Sequence, residues 1–202
     1  MSKLDISATH EIEAAFAAAQ SRTRAPLACV VAEASADYAL GPALGAAALA
    51  MIAPWPLLAF TALPPGKIFL AQIGLFALLL CALAFAPVRV ALASRARRRS
   101  ACYRAALVQF SRLGLAHAPE RNGVLLYVSL TERYARIVAD VGAEAPHEAW
   151  RAVIAEMSAA LRAGEAKTAL ATAAGRIADI LAPNFPPTLA PQSAKLKHFH
   201  ML

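Results

Sequence analysis

Hydrophobic and polar positions follow three different rhythms along this chain. Over residues 8–21, Ile12, Phe16 and Ala19 recur at helical spacing, and Glu11 and Glu13 lie near the start, where the helix dipole favours acids. Arg22-Thr23-Arg24-Ala25-Pro26 ends that pattern. Leu27–Glu33 (LACVVAE) is an apolar run with adjacent valines, which predicts a buried strand. Periodicity then disappears. From Tyr38 to Val88, 51 residues contain one charge, Lys67.

That block divides into two uncharged runs, Tyr38–Gly66 and Ile68–Val88, of 29 and 21 residues. A helix of roughly 20 apolar residues crosses the hydrocarbon core of a bilayer. Leu63-Pro64-Pro65-Gly66-Lys67 is a short helix-breaking turn between them, so the pattern predicts an antiparallel transmembrane hairpin with spans near 40–62 and 68–88. Pro42 suits a first helical turn, whereas Pro54 and Pro56 should kink the far end of the first span. Trp55 lies there as an interfacial anchor. Two helices buried in a large soluble core are the competing reading, and the remaining chain is short for covering both.

Beyond the hairpin the rhythms return. Residues 96–115 predict a helix with Cys102, Ala106, Phe110 and Leu113 on one side, Tyr103 and Leu107 on an adjoining one, and Gly114 at its end. Val124–Leu130 (VLLYVSL) reads as a strand, Thr131-Glu132-Arg133 as a turn, and Tyr134–Ala139 as the return strand of a hairpin. Arg136 there either points to solvent or leans over the sheet edge. Pro146 opens a helix with a stripe of Trp150, Val153, Ile154, Met157 and Leu161. Gly164 punctuates, and residues 165–182 form the last helix, with Leu170, Ala174, Ile177 and Leu181 inward. The proline-rich, basic remainder reads as a disordered tail in which His198 and His200 are incidental.

The lone strand before the apolar block has no partner until after it. The pattern therefore predicts an α/β class: one cytoplasmic α/β/α domain interrupted by the membrane hairpin. Its parts are residues 1–37 (helix and strand), 38–90 (hairpin), 91–182 (remainder of the domain) and 183–202 (tail).

Composition sharpens this. The chain is 59% hydrophobic and 16% charged, which excludes disorder, collagen, coiled coil and a disulfide-rich miniprotein. The net charge of +7 reflects mainly Arg89, Arg95, Arg97, Arg98, Arg99 and Arg104 beside the second span. These are expected to contact anionic lipid headgroups rather than nucleic acid, since the run abuts a span and no zinc-finger or RNA-binding signature accompanies it. The positive-inside rule places both termini in the cytoplasm of a multi-pass inner (plasma) membrane protein, with the turn outside. The N-terminal residues lack the basic and apolar regions of a signal peptide. Cys29, Cys81 and Cys102 are odd in number and widely spaced, as expected of reduced cysteines.

The runs IEAAFAAAQSRTRAPLACVVAEASADY and YRAALVQFSRLGLAHAPERNGVLLYVSLTERYARIVADVGAEAPHEAW, followed by MSAALRAGEAKTAL and GRIADIL, resemble the TPM domain family in a bacterial membrane-anchored form. The resemblance rests on a Tyr-led helix, a Gly-Leu end, an Asn-Gly turn, an apolar strand and a short return strand. Here these are Tyr103, Phe110, Gly114, Leu115, Asn122, Gly123 and VLLYVSL, and the similarity covers roughly residues 8–37 and 96–182. It implies an α/β/α fold. It also implies roles ranging from phosphatase-like or divalent-metal-binding proteins to accessory subunits in membrane-protein maintenance. Family members often carry an acidic residue where this chain has Arg121, which puts metal binding in doubt.

The chemistry legible in the residues is sparse. Glu120, Asp140 and Glu144 are the candidate ligands of a divalent cation (calcium or magnesium) at one end of the sheet. There is no P-loop, no Cys-x5-Arg pattern and no Asp-x-Asp motif. Cys102 follows Arg98 and Arg99, a setting that can lower a thiol pKa, and Ser129 and His117 have no visible triad partners. No catalytic residue is assigned. The expectation is a non-catalytic accessory or interaction module held to the lipid bilayer, with a membrane-protein partner or a second copy. The alternatives are a divalent-metal-dependent phosphatase-like enzyme and an oligomeric membrane pore or transport accessory.

Overall fold

The computed structural model describes residues 6–36, 40–85, 88, 91–143, 145–187 and 199–201. The elements are α1 (Ile6–Gln20), β1 (Leu27–Ala32), α2 (Leu40–Ile52), α3 (Pro54–Phe60), α4 (Pro65–Ala84), α5 (Arg95–Arg112), a 3-10 turn (Leu115–His117), β2 (Val124–Ser129), β3 (Tyr134–Ala139), α6 (His147–Ala163), α7 (Ala166–Leu181) and β4 (Phe199–Met201). The chain divides into two compact units. One comprises residues 1–35 together with 99–202, and the other residues 36–98.

The first unit is built on a four-stranded sheet of order β3-β2-β1-β4. β1 runs parallel to β2, with Leu27 beside Val124 and Ala32 beside Ser129. β3 returns antiparallel to β2. Every residue of β1 and β2 is buried. Their alternation serves two layers, which is why both read as unbroken apolar runs. Leu27, Cys29, Val31, Val124, Leu126 and Val128 join the core formed with α1, α6 and α7. Ala28, Val30, Leu125 and Tyr127 face Cys102, Ala106 and Phe110 of α5.

The helices end where the sequence says they should. Gly114 (φ = +71°) and Gly164 (φ = +86°) adopt the left-handed conformation that terminates α5 and α6. At α1 the closure is made by a side chain. The buried Gln20 donates from Nε2 to the carbonyls of Thr23 and Ala25 (2.9 Å each) and accepts the Leu27 N–H on Oε1 (2.7 Å). This one amide fixes the turn between α1 and β1.

Cys102, Ala106 and Phe110 of α5 are buried against the sheet, and Tyr103 and Leu107 on the adjoining side are exposed. Arg136 of the edge strand β3 is half-buried and stacks on the Tyr103 ring at 4.2 Å. The tail is not wholly irregular. Phe199–Met201 pair in parallel with Cys29–Val31, because Phe199 buries its ring in the core while backbone bonds complete the β1 edge. His198 and the rest of 188–198 lie outside the described residues.

The second unit is helical. Gly41–Phe60 and Pro65–Ala84 are each long and apolar enough to cross a membrane, and only 11% of each segment is buried. Helix continuity breaks at Ala53, just before Pro54, which lacks the N–H to bond back along α2. The second helix begins at Pro65, earlier than the expected 68, because a proline is favoured in a first turn. Leu44, Met51, Phe60, Leu70 and Leu78 stand exposed along these helices.

Candidate functional site

Two polar clusters cap opposite ends of the sheet. The first lies where β1 and β2 begin and β3 ends. Glu120 accepts from Arg24 Nε (3.2 Å) and Nη2 (3.1 Å) and from Asn122 Nδ2 (3.1 Å). Arg121 grips Asp140 with both arms of its guanidinium, Nε to Oδ2 at 2.9 Å and Nη2 to Oδ1 at 2.8 Å. The Val141 N–H donates to the same Oδ1 (2.8 Å). Lying beneath this fork, the Asp140 side chain is only 6% exposed, whereas that of Arg121 is 62% exposed. Hydrogen bonding from Arg121 holds the Asp140 carboxyl below the ordinary carboxylate range, and Asp140 in turn raises the Arg121 pKa.

The backbone here is constrained. Arg121 has φ = +52°, a left-handed conformation that non-glycine residues rarely adopt. Its carbonyl accepts the Gly142 N–H at 2.7 Å. A Cβ on Gly142 would lie 2.1 Å from the Glu120 carbonyl oxygen, so only glycine permits the loop after β3 to lie against the loop before β2. Asp140 N–H closes the arrangement on the Gly123 carbonyl (3.0 Å).

This geometry does not fit a divalent cation. Both described candidate carboxylates are already held by guanidinium groups, and a bidentate arginine uses both Asp140 oxygens. Glu144 lies outside the described residues. Among the described residues no three acidic, histidine or cysteine side chains converge as a metal set.

The second cluster lies where β1 and β2 end. It contains residues that the sequence pattern assigned only to a strand and a turn. Glu132, nearly buried, receives the Ser35 N–H (2.8 Å) and the Ser129 hydroxyl on its two oxygens. Ser35 Oγ and Tyr127 Oη share a hydrogen bond (3.1 Å). Burial is the main influence raising the Tyr127 pKa. The only sequence signal for this cluster was Ser129, a hydroxyl at the end of an apolar strand. Ser129 is fully buried, so it cannot meet a substrate as a nucleophile. The carboxylate instead fastens the chain where it leaves β1.

The remaining candidate nucleophiles are likewise placed by packing. Cys102 is buried against the sheet, and burial pushes the Cys29 thiol up. His147 is exposed in the first turn of α6, and His117 ends the 3-10 turn.

Of the basic residues, Arg95, Arg97, Arg98 and Arg99 occupy the first two turns of α5, and Arg104 follows with a hydrogen bond to Ser100 Oγ (2.7 Å). Arg89 lies outside the described residues. Trp55 is exposed on α3.

Residues 86–180 match the family model of the TPM domain (TPM_phosphatase). The match starts beyond the apolar helices, yet the domain's sheet is incomplete without β1 from before them. The NMR structure of BA42 protein from the psychrophilic bacterium Bizionia argentinensis aligns with 99% of this chain and 96% of its own, with a TM-score of 0.59 and 12% identity. That likeness is one of fold. No curated protein matches the chain.

Proposed function

We propose that this chain is an integral membrane protein that presents its TPM domain to the cytoplasm as a non-catalytic accessory or interaction module. The observation that carries this reading is the burial of the two apolar helices. A core helix of a soluble protein is mostly covered, whereas here 11% of each long apolar segment is buried. Large side chains from Leu44 to Leu78 would otherwise face water as a patch far beyond what a soluble monomer tolerates. A bilayer is the apolar phase that satisfies them.

Charge supports the same placement. Four arginines crowd the N-terminal turns of α5, where the helix dipole already disfavours cations, and no acid occurs between Asp37 and Glu120. Anionic headgroups relieve both terms. The non-catalytic assignment draws on the two sheet-end clusters. Their carboxylates are engaged by arginines, hydroxyls and N–H groups, which suits a role in shaping loops for a membrane-protein partner or a second copy.

The test is biochemical. Full-length protein should remain in the membrane pellet after alkaline carbonate washing. Reporters at Leu202 and at Gly66 should report opposite sides. Purified protein should show no phosphatase turnover above background with or without calcium or magnesium. Release by carbonate, reporters on one side, or metal-dependent turnover abolished by Asp140→Asn would each overturn the corresponding part.

A further inference from the structure

The helical unit contains a groove of about 540 Å³ between α2 and α4. Its walls are apolar, with Leu49 on one helix and Leu79 and Leu83 on the other. Gly41 and Gly45 leave its floor without side chains. Among the described lining residues one is a cation, Arg97, at the rim with Ser94. The arginine is fitted closely to that floor: a Cβ on Gly41 would lie 2.6 Å from Arg97 Nη1, so the guanidinium rests on bare backbone of α2. Among the described residues no carboxylate pairs with Arg97. The Ser94 hydroxyl accepts the Arg97 N–H (3.2 Å), which fixes the first turn that carries it.

An apolar trough ending in a guanidinium has the polarity of a phospholipid: acyl chain along the trough, phosphate at the rim. We propose that this groove binds one anionic phospholipid, with its phosphate on Arg97 and an acyl chain over Gly45 against Leu49, Leu79 and Leu83. The inference rests on the membrane reading above and deepens it from general headgroup attraction to a defined lipid site. A planar guanidinium matches phosphate oxygens in a way that a zwitterionic headgroup, carrying its own cation, partly cancels. The groove's position also agrees with the basic end of the hairpin, where the positive-inside rule places the cytoplasmic leaflet.

The experiment uses the full chain purified in mild detergent, delipidated, and offered equimolar dioleoyl phosphatidylglycerol and dioleoyl phosphatidylcholine. Native mass spectrometry reads the retained adducts. Wild type should retain one phosphatidylglycerol in preference to phosphatidylcholine. Arg97→Gln should lower that preference about fivefold, the effect of one headgroup cation. Gly45→Phe should abolish the adduct with every charge intact, because nothing lies within 4 Å of a Cβ at Gly45 and the ring fills the trough. Gly45→Leu provides a smaller fill, and circular dichroism checks that each variant keeps its helices. No lipid preference in wild type overturns the site. Loss in Arg97→Gln alone overturns the groove in favour of diffuse surface charge, and loss in a Gly45 variant alone overturns the phosphate assignment. Carbonate release of wild type from membranes is a separate result that sinks the membrane reading itself.

Discussion

Three residues hold the ends of the sheet-bearing unit together. Gln20 closes α1 onto β1 through three buried hydrogen bonds. Gln20→Ala strands two carbonyls and one N–H, and urea unfolding should register a loss of about 2–4 kcal/mol. Gly142 admits no Cβ against the Glu120 carbonyl. Gly142→Ala should therefore destabilise by roughly 1–3 kcal/mol, seen as a lowered thermal midpoint. Asp140 has a depressed pKa, so the sign of its pH dependence is fixed. Its contribution is fully present above the ordinary carboxylate range and is lost as pH falls through the lowered folded-state value. Wild type should be more stable than Asp140→Asn at pH 7, and the gap should close in acid. A gap that persists unchanged at low pH would remove the Arg121 pairing as its cause. These roles were only partly legible. Glu120 and Asp140 were visible as acids at one sheet end, but their arginine partners were not. Arg24 lies 96 residues from Glu120 and Arg121 lies 19 from Asp140, and only sheet pairing brings such separations to hydrogen-bond distance.

Local rhythm decides most at the scale of elements. The stripes Ile12-Phe16-Ala19 and Leu170-Ala174-Ile177-Leu181 are buried, as are Trp150, Val153, Met157 and Leu161 of the third with Ile154 only partly covered, and Gly114 and Gly164 stop the helices that they follow. Element type was legible because period and punctuation are properties of neighbouring residues. β4 was hidden for the opposite reason. Three residues of a proline-rich tail carry no period, and they become a strand only because β1 offers an unpaired edge and the core a space for Phe199. Phe199→Ala should cost about 3 kcal/mol in chemical denaturation, as for truncation of a buried aromatic ring. An unaffected midpoint would show that the strand contributes nothing to the fold.

The organisation of the whole molecule follows from where its apolar surface goes. Residues 1–35 and 99–202 close a core of their own, with α1, α6 and α7 on one face of the sheet and α5 on the other. Residues 36–98 leave theirs open. Replacing 36–98 by a flexible Gly/Ser linker of about 20 residues should consequently yield a soluble, monomeric protein with one cooperative unfolding transition, because such a linker reaches about 25 Å on average. Aggregation, or loss of cooperative unfolding, would show that the helices are part of the domain's stability.

Amino-acid order alone determined the α/β class, the helical stripes and their glycine stops, the uncharged 51-residue block, and the need for β1 to find its partner beyond it. Each of these depends on period, composition or a lone element's unmet backbone hydrogen bonds, which are read locally. Tertiary structure decided which charges meet. It placed Arg121 over Asp140, tied the Ser35 N–H to Glu132, drew Phe199 to the sheet edge and laid Arg97 across Gly41. Those contacts join residues far apart in the chain, and their geometry exists only once the sheet and the helix pair have formed.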